Sequence, residues 1–383
     1  MKIRFALVLL FAFASFFNTT FLSAHEIKPI VSTLDLSQKG QFNLLIELNA
    51  EALASGLRPS HKTTQDQPEE KSYKALRKLG AEALKIEISD ELERLLAGIS
   101  LRFDGEPALL SPERVEISEA TDLTVPRITK LFFTGDVPEM AANFSWKMAA
   151  EFGSNVVKVK RAKGEPGVFW LRAGASLPPM AIIANSSAHS LQETVVQYIE
   201  QGYIHILPMG LDHILFVLGL FLLSPKMKPL LIQVTLFTLA HSITLGLAAA
   251  GIVSLSASVV EPLIALSITF VAIENVMSKN LGRFRMLVVM LFGLLHGLGF
   301  ATVLGEVGLP ESQFLSALFS FNIGVEFGQL TVILAAYLLL GVWKGGENRL
   351  FYVVQKPASL LIALVGLYWF IERIGLLEGT LIA

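Results

Sequence analysis

"YIHILPMGLDHILFVLGLFLL", residues 203–223, decides how the chain is read. From Ile214 onward it is an unbroken apolar run of the kind that enters lipid. Its first half places His205, Asp212 and His213 in the same segment. A charged group at the centre of a bilayer costs about 2.5–3.5 kcal/mol on the insertion scale, so such residues face one another or a site rather than acyl chains.

Five further apolar stretches follow, close to the ~20 residues that cross a bilayer. With 203–223 they make six expected spans, at 229–251, 255–277, 285–306, 312–341 and 352–374. The 383 residues are 52% hydrophobic and 17% charged, too apolar for an ordinary soluble chain of this length. Charge crowds into residues 25–165 and thins after 202, which implies water for the first half and lipid for the second. A net charge of −2 and the lack of a basic run argue against a nucleic-acid partner. With no cysteine, disulfides, thiolate metal sites and cysteine nucleophiles are excluded.

Residues 1–24 read as a signal peptide. Lys2 and Arg4 precede the apolar "FALVLLFAFASFF", and cleavage after Ala24 leaves His25 as the first residue, whose amino group and imidazole together suit copper. Residues 25–173 read as an extracytoplasmic, mainly-β, sandwich-like domain. A hairpin is expected where "IKPIVSTLDL" and "FNLLIEL" flank a glycine turn, and one or two helices over 68–97. The runs "ISLRF", "RVEIS", "ITKLFF", "FSWKMAA", "VVKVKR" and "GVFWLR" supply further strands. Residues 174–202 read as a linker ending in an interfacial helix, and 203–383 as the six-helix membrane domain. The basic loops "SPKMKP", "SKNLGRFR" and "WKGGENRLFYVVQK" fall on one side, so the positive-inside rule puts both chain ends outside a bacterial inner membrane.

Within the spans the ionisable residues lie at similar depth: Asp212 and His213 in the first, His241 in the second, His296 in the fourth, Glu326 in the fifth. His205 precedes Asp212 by seven residues, two turns along one helical face. Asn322, Glu326 and Gln329 form an i, i+4, i+7 polar stripe. Glycines at 293, 297 and 299 allow a neighbouring helix to close in beside His296. Glu261, before Pro262, either meets an ion at the outer side or kinks the third helix; Glu274 and Asn275 lie toward the inner side.

Imidazoles and carboxylates at one depth suit a borderline divalent ion such as nickel, cobalt or zinc, whereas Cu(I) prefers sulfur. Asp212, His213, His241, His296, Glu326, His205 and Glu261 are the candidate ligands. Ser242, Thr238, Asn322, Gln329, Glu274 and Asn275 are candidates to orient them.

At these residues the chain resembles the HupE/UreJ family, in its branch with an exported N-terminal domain. The resemblance rests on "GLDHILF" (210–216), "FTLAHSITL" (237–245), "VEPLIALSI" (260–268), "EN" (274–275), "FGLLHGLGFA" (292–301) and "FNIGVEFGQ" (321–329). It implies a nickel- or cobalt-type permease in which Asp212, His213, His241, His296 and Glu326 handle the metal. The family's shorter members carry His-Pro-x-x-Gly-x-Asp-His; here "HILPMGLDH" keeps the Gly-x-Asp-His core but sets His205 one residue farther away, with no proline after it. "FTLAH" (237–241) echoes "FGLLH" (292–296).

Two function classes fit these residues. One is a permease for a divalent ion. The other is an intramembrane zinc hydrolase, with Ser242 beside His241. The expected partners are the bilayer, the metal ion and an extracytoplasmic partner of the N-terminal domain.

Overall fold

The computed structural model describes residues 29–57, 68–119, 127–163, 166–183, 190–223, 226–277, 284–307, 313–341 and 351–374. The expected signal peptide, His25 and most of the charged loops lie outside these residues. The chain divides into a β-rich unit before residue 190 and a helical unit from Leu191 onward.

In the β-rich unit, apolar alternation makes the strands. The expected hairpin pairs β1 (Ile30–Leu36) with β2 (Gln41–Leu48), from Val31↔Glu47 to Asp35↔Asn43. Gly40 turns between them at φ +80°, a conformation that favours glycine. Four helices follow: α1 (Ala50–Ala54), α2 (Pro68–Arg77), α3 (Ala81–Glu87) and α4 (Ser89–Ala97). The expected one or two helices over 68–97 are therefore three, broken before Ala81 and at Ile88.

The remaining strands are β3 (Ile99–Phe103), β4 (Glu106–Pro107), β5 (Ser111–Ile117), β6 (Thr129–Asp136), β7 (Asn143–Met148), β8 (Asn155–Arg161), β9 (Gly167–Leu171) and β10 (Ser176–Ala181). They form one sheet in the order β5-β6-β2-β1-β8-β9 and another in the order β10-β7-β3-β4. β1 and β8 are parallel. Residues 176–181, expected within a linker, pair instead with β7, and Pro178 and Pro179 sit where that register shifts, between Leu177 and Met180. Prolines lack the N–H a ladder needs, so the ladder tolerates them at this irregularity.

Both sheets share one apolar core. Leu34, Phe42, Leu44 and Ile46 come from the first, Leu101, Phe103, Phe144 and Trp146 from the second, and Leu84, Ile88 and Leu95 from the helices. The rings of Phe42 and Phe103 lie 5.6 Å apart across it. Trp146 Nε1 donates to Asn155 Oδ1 at 3.2 Å, a bond from β7 to β8. Buried Glu51 accepts from Arg127 Nε at 2.7 Å, and the same guanidinium donates to the carbonyls of Leu76 and Leu79 at the end of α2. The charge pair is thereby compensated out of water.

The helical unit contains α5 (Leu191–Ile206), α6 (Leu211–Leu223), α7 (Met227–Ala249), α8 (Ala257–Met277), α9 (Arg285–Val307), α10 (Phe314–Gly341) and α11 (Lys356–Arg373). Among the described residues, Met227–Ala249, Ala257–Met277, Phe314–Leu339 and Tyr352–Arg373 are each long and apolar enough to cross a bilayer. α5 and α6 together make a fifth such segment, bent by 71°. In α9 the apolar helical stretch runs over Arg285–Gly299. The outward sides carry Leu239, Ile243, Leu266, Phe270, Leu334, Leu338, Leu360 and Leu364, all exposed, while His213, His241, Asn275, His296 and Gln329 are buried. Apolar outside and polar inside is the arrangement lipid favours.

The expectation of one continuous helix over 203–223 is corrected. The helix ends at Ile206 and restarts at Leu211, because Pro208 and Gly210 interrupt it. The helical segment also begins at Leu191, ahead of the expected span. α5 packs along α10, where Gly202 meets the Phe321 carbonyl and Gly324 meets the Ile199 carbonyl. A Cβ at either glycine would overlap backbone, so the two helices touch main chain to main chain.

Candidate metal centre

The break between α5 and α6 builds the first half of the site. Gly210 closes on the carbonyl of His205, in a space where a Cβ does not fit. The bend turns His205 onto the first turn of α6, and the His205 and His213 rings meet at 4.8 Å. His205 therefore reaches the site through the bend and not through the expected helical face shared with Asp212. Asp212 Oδ1 accepts from the His213 backbone N at 2.8 Å and from His213 Nδ1 at 3.1 Å. The aspartate caps the free N–H groups of the first turn and orients the neighbouring ring in one move.

The second half comes from α7 and α9. Gly293 and Gly297 of α9 press against the backbone of Phe237 and His241 in α7, which is the close approach beside His296 expected from the glycine spacing. The third glycine, Gly299, faces Ile264 of α8 instead. This brings His213 to 5.8 Å from His241 and 5.0 Å from His296, ring to ring. His205 and His241 lie 6.2 Å apart.

One ring nitrogen from each of His205, His213 and His241 falls within 4.8 Å of the other two. Imidazole nitrogens bound to one ion at about 2.0–2.1 Å lie closer together than that, so all three could share an ion only if the side chains closed inward by roughly 1 Å.

The hydrogen bonds settle which nitrogen is offered. His213 Nδ1 donates to a carboxylate, His241 Nδ1 to Asn322 Oδ1 at 3.3 Å, and His296 Nδ1 to the Phe292 carbonyl at 2.8 Å. Asn322 Nδ2 donates to the Leu318 carbonyl at 2.8 Å, which leaves its oxygen for His241. Each partner atom is an acceptor, so each Nδ1 carries the hydrogen and each Nε2 presents a lone pair. The Nε2 atoms of His213, His241 and His296 are buried without a hydrogen-bond partner among the described residues. This donor set, neutral nitrogen with a carboxylate behind it, matches a borderline divalent ion.

The other expected site residues have the following partners. Glu326 accepts from Thr235 Oγ1 at 2.7 Å, and Gln329 accepts from Thr238 Oγ1 at 2.9 Å. With Asn322–His241 they make three rungs between α10 and α7, so the polar stripe of α10 is present but only Asn322 touches an imidazole. Ser242 Oγ donates back to the Thr238 carbonyl at 2.6 Å, which engages the hydroxyl a hydrolase would need. Glu261 receives Arg373 at its backbone carbonyl, 2.8 Å away, and its carboxylate lies 3.9 Å from the same guanidinium. Glu274 pairs with Arg285, whose Nε also donates to Gln233 Oε1 at 3.3 Å. Asn275 ties α8 to the Gly219 carbonyl at 2.6 Å and to Ser359 Oγ at 3.3 Å.

Sequence reading missed Arg285, Gln233, Thr235 and Arg373. Arg285 was counted as a loop charge, and its burial is the signal that separates it from a solvated one. Arg373, at the end of α11, lies within electrostatic range of Asp212 and His296.

A family model described as "HupE / UreJ protein" matches residues 182–373, half of the chain and the whole helical unit to Arg373. No curated protein and no solved structure matches the chain.

Proposed function

The chain belongs to the HupE/UreJ family, and from that membership we propose that it is a permease for a divalent transition-metal ion of the nickel and cobalt class, with zinc inside the same chemical range. The carrying observation is the set of three buried imidazoles whose Nδ1 atoms are committed to oxygen acceptors and whose Nε2 atoms are not hydrogen-bonded among the described residues. A buried polar atom without a partner costs about 1–3 kcal/mol, and a cation bound by His213 and His241 removes that cost at their nitrogens.

The ion is cargo. His205, His213 and His241 hold it, with His296 against His213 as the next donor. Asp212 compensates the incoming charge through the His213 ring. Binding needs the Nε2 lone pairs, so ion and protons compete for the same atoms and their exchange couples the two. In this reading residues 1–24 are removed, the β-rich domain lies in the periplasm with a binding or sensing role, and the chain crosses the inner membrane six times with both ends outside.

The test is accumulation of nickel or cobalt in cells, paired with metal analysis of the purified protein. Asp212→Ala and His296→Ala abolish accumulation while the protein stays in the membrane, and the double variant purifies without metal. Undiminished uptake by both single variants counts decisively against the reading.

A further inference from the structure

Each of three histidines has a phenylalanine one helical turn away, on the same side. Phe216 follows His213 by three residues in α6, Phe237 precedes His241 by four in α7, and Phe292 precedes His296 by four in α9. α6 joins α7 through a short connection, so a step forward in one and a step back in the other move in the same direction. The three rings meet in a layer: Phe216 lies 4.8 Å from Phe237 and 6.2 Å from Phe292.

That layer floors the imidazoles. Phe237 lies 4.9 Å from His296, 5.9 Å from His213 and 6.2 Å from His241, the last pair stacked at 21°. Phe216 lies 5.5 Å from His296. Phe216 and Phe237 are each 1% exposed, and Phe292 closes the layer at its rim, partly exposed and 5.9 Å from Phe270. One turn beyond Phe237 in α7 comes Gln233, which receives Arg285, itself paired with Glu274. Three tiers are thus stacked, imidazole, phenyl and ion pair.

We propose that Phe216, Phe237 and Phe292 form the closed gate of the ion path on the side of the α7 and α9 N-termini. This deepens the permease reading and rests on it. A divalent ion leaving the imidazoles toward that side meets an apolar layer whose three rings offer no ligand atom to replace the nitrogens it gives up. Hydrophobic constrictions of this kind block ions by excluding water. Passage requires the rings to part, and the ion then enters the polar tier, where Glu274 and Gln233 supply oxygen once Arg285 releases them.

The experiment uses the purified full-length chain in proteoliposomes, with nickel flux as one readout and the cobalt absorption spectrum of the bound ion as the other. Phe237→Ala and Phe216→Ala keep the wild-type cobalt spectrum, while nickel flux rises at least tenfold and loses saturation. Phe237→Leu restores saturable flux. If the wild-type protein moves nickel and both alanine variants match it in rate and saturation, the gate is overturned and the permease reading stands. If the alanine variants lose cobalt binding and flux together, the rings serve only to pack the imidazoles, and the gate is again overturned. A wild-type protein that neither binds cobalt nor moves nickel removes the permease reading and the gate with it.

Discussion

Asn322 Oδ1 accepts the hydrogen of His241 Nδ1 at 3.3 Å, and the same carboxamide is fixed by its Nδ2 bond to the Leu318 carbonyl. The bond runs from α10 to α7 and sets the direction in which His241 Nε2 points. Outer partners of metal-binding imidazoles typically contribute about 10–100-fold in affinity. Asn322→Leu therefore weakens cobalt binding by about that factor with helix content unchanged, and Asn322→Asp, which keeps the acceptor, recovers most of it. Spectroscopic titration of the two purified variants measures this.

Gly297 packs against the carbonyl of His241 where a Cβ does not fit. Gly297→Leu pushes α9 off α7 and carries His296 away from His213. Overpacking a tight contact costs about 1–3 kcal/mol, so thermal unfolding in detergent shifts downward and metal affinity falls with it. Gly80→Leu, at a position with nothing nearby, serves as the control and changes neither.

Arg285 is buried and pairs with the partly exposed Glu274, with Gln233 as a second acceptor for the guanidinium. Removing one partner leaves an uncompensated charge; the cost is about 3–5 kcal/mol for a fully buried pair and less where, as at Glu274, one partner reaches solvent, and removing both costs less still. Glu274→Gln and Arg285→Met each lower stability more than the double variant does. Unfolding midpoints of the three proteins decide it.

In the β-rich unit, the Asp104 carboxylate is held below its ordinary range first by the Ala142 amide and then by the Asn143 side chain. A depressed folded value contributes stability above the unfolded value of about 3.9, and that stability is lost as pH falls through the lower folded value. Protection of the Ala142 amide from hydrogen exchange in the full-length protein therefore declines on acidification in this window. Asp104→Asn removes the pH dependence.

Much of this was legible in the chain itself. Period-two alternation announced the hairpin of β1 and β2, and the Gly293–Gly297 spacing announced the contact beside His296. "FTLAH" and "FGLLH" read as an internal echo, and in the structure each packs its histidine and phenylalanine at the same cluster of rings. The bend at Pro208 and Gly210 was less legible, because the apolar run on either side masks the break. Depth and the polar stripe place Glu326 on the α7-facing side of α10 but do not name its partner; one carboxylate oxygen accepts from Thr235 of the facing helix, and the other is buried without a hydrogen-bond partner among the described residues. Arg285 looked like a loop residue because composition cannot reveal that a guanidinium has found a carboxylate eleven positions away.

The glycine contact that joins α5 to α10 has a mechanical corollary. With main chain against main chain along that line, a displacement of either helix would carry the other with it as a single blade, bearing His205 on one edge and Asn322 on the other. His213, His241 and His296 stand on α6, α7 and α9, across a seam from that blade. Whatever slides the blade draws His205 off the trio and releases His241 from its anchor in the same stroke.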